Sequence, residues 1–219
     1  MQDFLFTNGP AFSAATASQF LSSLKLVAKT TDKVEWAKLA LSSLARGAES
    51  VLETVGSQSP TLMVLGGYRP TNPAGDRYFS QTPFRFGDYV AKFSLVPSSA
   101  NLLAMHDVKL DLSGGPDGIR TAMNDAFAEA GGSWELKAQL LMDVETMPVE
   151  DSSVPWPENQ SPYITIARID VLPQPAWNDG RSAAVDDEMA FSPWNGLAAH
   201  QPLGSINRVR QSSTRSHHQ

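Results

Sequence analysis

The side chains that could do chemistry on their own are four histidines, two acidic doublets and a glycine-rich run. A zinc hydrolase needs two histidines four residues apart on one helix face with a glutamate between them, and His106, His200, His217 and His218 form no such pair. His106 begins "HDVKLDL", whose alternation groups it with Val108, Leu110 and Leu112 and predicts a core or barrel-lining position on a strand. His217 and His218 stand in a Ser- and Thr-rich tail, where adjacent imidazoles bind metal weakly. The doublets Glu150-Asp151 and Asp186-Asp187 could supply an acid and a base. Neighbouring side chains diverge on most backbones, so both read as solvated loop charges. Gly114, Gly115 and Gly118 neither form GxGxxG nor precede a Lys-Ser/Thr pair, which argues against a phosphate cradle.

Composition narrows the classes further. The chain of 219 residues has no cysteine, which excludes disulfides, thiolate nucleophiles and Cys-ligated metal centres. A net charge of -6 argues against a surface built to neutralise phosphate backbones, so nucleic acid is not an expected partner. With 42% hydrophobic and 18% charged residues it reads as an ordinary globular protein. No apolar run approaches the roughly 20 residues that span a bilayer. The opening "MQDFLFTNGPAFSAATA" lacks a basic region followed by a continuous apolar one. The chain as given therefore reads as soluble and cytoplasmic, with the native compartment left open.

The elements that would position a site follow from periodicity. Phe20, Leu21, Leu24, Val27 and Ala28 recur at helical spacing between Ala14 and Lys29, and a second helical stripe runs from about Lys33 to Thr54. From Thr61 the segments "TLMVLGGY", "DYVAKFSLV", "LLAMHDVKLDL", "WELKAQLLMDV" and "PYITIARIDV" read as strands between turn-forming residues. In the second of these Tyr89, Ala91, Phe93 and Leu95 alternate with a polar set that includes Lys92 and Ser94, predicting a half-buried strand. Ile119, Met123 and Phe127 predict a short helix within "GGPDGIRTAMNDAFAEAGG". After Leu172 the period is lost, and "PQPAWNDGRSAAVDDE" and "FSPWNGLAAHQPLG" read as an irregular C-terminal wrap. These elements make an α+β protein: an antiparallel sheet of about four or five strands, an N-terminal helical layer and a long wrap.

Four stretches in order, "QDFLFTNGPAF", "YFSQTPFRFGDYVAKFSLVP", "PVEDSSVPWPENQSPYITIARIDVLPQPAW" and "FSPWNGLAAHQPLGSINRVR", resemble the catalase-like haem superfamily, most closely its smaller branch of catalase-related peroxidases. The resemblance runs from about Gln2 to Arg210. It implies part of an antiparallel β-barrel against which haem sits, with a distal His and Asn acting on bound peroxide and a proximal Tyr ligating iron.

Carried over by residue, the resemblance makes Asn8 the distal Asn and Phe20 an aromatic ring against the haem face. Arg210 looks like the arginine of the family's Arg-x-x-x-Tyr motif, whose charge holds the proximal tyrosine as phenolate. The residue four beyond Arg210 is Thr214, so the ligand position carries no tyrosine. His200 falls in the wrap motif rather than at either face of the iron and is not expected to ligate it. The family's distal histidine lies upstream of the Asn motif, with the first barrel strands and the groups that hold the haem propionates. Truncation or a frameshift would account for both departures.

The resemblance thus implies a catalase-like domain over residues 1-210, followed by a disordered tail over 211-219 in which the ligand helix does not continue. It implies breakdown of hydrogen peroxide, or peroxide-dependent oxidation of a small donor, with haem as cofactor and activity lost in this form. Two other readings stand beside it: a non-catalytic remnant or interaction module without stable haem, and a relative that processes fatty-acid hydroperoxides. The partners expected are hydrogen peroxide or an organic hydroperoxide, and self-association through exposed strand edges.

Overall fold

The sequence "FRFGDYV" turns back on itself because Gly87 adopts φ 64, the left-handed conformation that a two-residue hairpin loop demands at its first position. The computed structural model describes residues 2–31, 71–110 and 117–215. Around that hairpin, β1 (Tyr78–Phe79) and β2 (Phe84–Phe86) follow one another along one edge of β3 (Tyr89–Pro97). The other edge of β3 pairs with β4 (Gly132–Leu140), which pairs with β5 (Ile164–Val171), every pairing antiparallel. Among the described residues this five-stranded sheet is open and does not close into a barrel.

One face of the sheet is apolar. Phe84, Ala91, Phe93 and Ala138 are buried there, and Phe4 and Phe6 of the N-terminal segment cover them. The Phe4 and Phe93 rings lie 4.8 Å apart. Burying a phenylalanine of this kind is worth about 2 kcal/mol. The opposite face was expected to be the wet side of a half-buried strand, and it is not. Lys92 is 1% exposed, because the loop over residues 151–161 supplies its acceptor, and Ser94 is fully buried, donating to the Tyr78 carbonyl and accepting from Arg77. Lys92 donates to the carbonyl of Val154 at 3.2 Å, and its neighbour Gln139 donates to those of Trp156 and Ser161.

The helices refine the sequence reading. α1 (Ala17–Thr31) starts where Thr16 accepts the backbone N–H of Gln19, half of a capping box. The second predicted helix, from about Lys33 to Thr54, and the strand "TLMVLGGY" lie outside the described residues. Over its described residues, 102–110, the strand expected in "LLAMHDVKLDL" is not formed: its start is a short helix, α2 (Ala100–Leu103), followed by turns with Asp107 at φ 58. Leu102 and Met105, three apart, pack together against Ala74, Phe127 and Trp134, so the spacing that decides is helical rather than alternating. His106 is consequently exposed rather than in a core.

α3 (Gly118–Ala128) forms where predicted and buries Phe127 against Trp134, ring centres 5.7 Å apart. The segment expected to be irregular contains α4 (Asp179–Glu188), capped by Asn178, whose side chain accepts from the N–H of Arg181. It has no buried residue and hence no apolar stripe to betray it. The last helix, α5 (Gly204–Arg215), continues past Arg210 through Thr214, where the sequence was expected to leave the helix. Residues 192–203 hydrogen-bond to both the N-terminal segment and β2: Asp3 N–H to Asn195, Arg85 N–H to Gln201 and Gly87 N–H to Ala199.

Candidate functional site

The loop carrying Asn8 is pinned on both sides. Thr7 exchanges two backbone hydrogen bonds with Phe79, at 3.0 and 2.7 Å, and fixes the chain just before Asn8. Just after it, the buried Gln81 amide donates to the carbonyls of Gly9, at 3.2 Å, and Ala11, at 2.6 Å. Gln81 itself holds φ 58, a conformation costing on the order of 1 kcal/mol outside glycine, which these two bonds offset. Asn8 is half-buried at the rim of this loop. The loop ends at Phe12, whose N–H donates to the carbonyl of Ser152 at 2.9 Å.

Phe12 is where two of the predicted residues meet. Its ring packs against that of Phe20 on α1, centres 4.9 Å apart. The guanidinium carbon of Arg210 on α5 lies 5.8 Å from the centre of the same ring. Arg210 also donates to the Asn207 side-chain oxygen at 3.2 Å, and burial pushes its guanidinium below its ordinary pKa.

Asn207 is the hub beneath. Fully buried, it accepts from Thr82 and donates to the carbonyls of Leu203 and Pro83, while its own carbonyl accepts from the Trp194 indole at 2.7 Å. Phe20 and Arg210 are thus brought together through Phe12, and Asn8 precedes that ring by four residues on one pinned loop.

The other candidates lie elsewhere. His106 sits in a turn against the Gly75 carbonyl and beside Asp107. His200 stacks on Phe86 at 5.7 Å, with Phe4 and Phe93 nearby, and its Nδ1 is buried without a hydrogen-bond partner. Glu150 is held below the usual carboxylate range by its two bonds to Arg208, and Asp151 accepts from Ser153. Asp186 accepts from Ser182 on the exposed α4. These acidic groups are engaged locally and converge on nothing. Gly118 opens α3; Gly114, Gly115, His217 and His218 lie outside the described residues.

Two features had no sequence signal. Lys92 is packed 5.0 Å above the Trp156 ring, and burial pushes its ammonium down to about 8, partly opposed by Asp151. Arg77 is sandwiched between Phe79 and Tyr163, at 4.6 and 4.7 Å, while bonding Ser94 and Glu158. Both depend on which distant ring the fold delivers, and neighbouring residues do not reveal that.

A tyrosine-ligated iron would need a phenolate near Arg210. Thr214, four residues on, offers an aliphatic alcohol, which does not ionise in the range where proteins fold. Of the described phenols none is on α5; Tyr78 is pushed up to about 12 by burial and Asp76, and Tyr163 is raised by burial. Among the described residues no cluster of three or more His, Asp or Glu side chains could hold a metal ion. This donor set does not fit such an iron.

No family model matches the sequence, and no curated protein matches it. Solved structures do. A bacterial catalase aligns over 96% of this chain and 42% of its own, with TM-score 0.62 and 15% identity. A fungal catalase aligns over 68% of this chain and 31% of its own, with TM-score 0.55 and 18% identity. Catalase A from Saccharomyces cerevisiae aligns over 68% and 32%, with TM-score 0.55 and 17% identity. The chain spans less than half the length of each. An open antiparallel sheet, with α5 and the Asn8 loop meeting at Phe12, therefore belongs to a catalase-like fold.

Proposed function

We propose that this chain is a catalase-type scaffold from the smaller, catalase-related peroxidase branch, whose ancestral chemistry is haem-dependent breakdown of hydrogen peroxide or of a small organic hydroperoxide. The reading rests on the ordered motifs together with one observation, the convergence of Phe20 and Arg210 on Phe12 beside the Asn8 loop. In this reading Asn8 is the amide that orients peroxide oxygens by hydrogen bonding, Phe20 packs a haem face, and Arg210 is the cation that would stabilise a phenolate.

The same reading assigns this polypeptide no peroxide turnover of its own. Arg210 has no phenol one helical turn away, and a threonine hydroxyl cannot take that place. The chain retains the scaffold and lacks the ligand. Oxygen evolution from hydrogen peroxide, measured on the purified chain supplied with haem, tests this: a rate no higher than haem with an unrelated protein is expected. Turnover well above that background would overturn the reading.

A further inference from the structure

We infer that β5 is a self-pairing edge: two copies of this chain join their sheets antiparallel through β5, with Arg168 of each opposite Asp170 of the other. The two ends of the sheet are unlike. On the β1–β2 side the outer edge is already covered, by Thr7 on Phe79 and by residues 199–203 on β2, including the Phe84 to Pro202 bridge. On the other side β5 is the last strand, and among the described residues nothing pairs with its outer edge. Its apolar residues are also uncovered: Ile164 is 58% and Ile169 42% exposed. A sheet end with open backbone groups and isoleucines in water is a template for another strand.

The charge pattern selects the occupant and the register. β5 reads Ile164-Thr165-Ile166-Ala167-Arg168-Ile169-Asp170-Val171. A two-fold axis through Ile169 sets Ala167 opposite Val171, Arg168 opposite Asp170 and Ile169 opposite its own copy. That places two opposite-charge pairs on one face and an apolar ladder on the other. Moving the axis to Arg168 or to Asp170 would oppose like charges.

Arg168 and Asp170 now bond each other at 2.8 Å and share Ser133, and both are more than half exposed, so they can turn to a facing strand without leaving a buried charge. The irregularity in the β4–β5 register, between Leu136 and Lys137, falls opposite Ile166, outside the five residues that would pair. Among the described residues β5 carries the one open edge of the sheet, and pairing through that edge alone closes as a dimer instead of growing into a filament.

Sedimentation equilibrium of the full chain tests this, with Arg168→Asp, Asp170→Arg and the double exchange alongside, each checked by circular dichroism for an intact fold. The expected result is a mass of two chains for the natural sequence, dissociation constants at least about tenfold weaker for each single exchange, and recovery in the double one. If a single exchange fails to fold, Ile169→Lys, at an exposed position on the axis, replaces it and is expected to give monomers. A natural chain that stays monomeric, grows without limit, or dimerises equally well in the single exchanges overturns the proposal. So does a monomer whose β5 amides resist hydrogen exchange along the outer edge, since another segment would then occupy it.

Discussion

The guanidinium of Arg210 lies over the ring of Phe12, 5.8 Å from its centre, and so ties the last helix to the N-terminal loop. Almost the whole chain separates the two residues. The contact therefore reports tertiary structure, and it fixes where a group on α5 would stand relative to Asn8.

Phe12 should be the keystone of that junction. Replacing it with alanine removes its packing against Phe20 and the surface under Arg210. A loss of about 2 kcal/mol in unfolding free energy is expected for Phe12→Ala, less than for a fully enclosed phenylalanine because Phe12 is only half-buried. Denaturant midpoints at constant slope would show it. An unchanged midpoint would mean that the loop is held by Gln81 and Thr7 alone.

Asn207 should matter more. Its side chain joins Thr82, Pro83, Leu203 and Arg210 in four hydrogen bonds at a fully buried position. Asn207→Ala is expected to cost about 3 kcal/mol, from the loss of these buried hydrogen bonds together. Asn207→Asp should not rescue it, because a carboxylate cannot donate to the Leu203 and Pro83 carbonyls. Equal stability of either variant and the natural chain, by urea titration, would contradict the assigned bonding.

Lys92 gives a pH signature. Its folded pKa is lowered from 10.5 to about 8, first by burial, so between those values the unfolded chain binds the extra proton. Stability must then rise with pH across that window, by up to about 3 kcal/mol from this residue alone. Tyr78 and Tyr163 act in the other direction above pH 10, where their raised folded pKa values let the unfolded state lose protons first and stability falls. A maximum near pH 10 is expected in urea melts taken from pH 7 to 11. Lys92→Met should flatten the rise and be the more stable form at neutral pH. A rise that persists in Lys92→Met would assign it to some other group.

Much of the fold was legible because alternation and turn chemistry act locally. β3 is written in the alternation of Ala91 and Phe93 with polar neighbours, and α3 in the spacing of Met123 and Phe127. What was not legible depends on distant partners. Lys92 looked like a solvent-facing strand residue because nothing in "DYVAKFSLV" says that residues 151–161 will cover it. His106 looked buried because Val108 and Leu110 alternate with polar neighbours, while the packing of Leu102 and Met105 on Trp134 imposes a helical turn. α4 escaped notice because a solvated helix has no apolar period. At the candidate site Arg210 could be named from its motif, but Phe12, the residue that brings it to Phe20, lay unremarked within a quoted motif.

The central claim is that position 214, four residues beyond Arg210, carries a threonine where an iron-ligating tyrosine would stand, and a haem titration followed in the Soret region tests it most directly. The natural chain is expected to show no saturable binding beyond that of an unrelated protein, and Thr214→Tyr to gain one-to-one binding with a ferric, tyrosine-ligated spectrum. Saturable one-to-one binding by the natural chain, with an iron-ligated spectrum, would contradict the claim and require a ligand other than the residue at position 214.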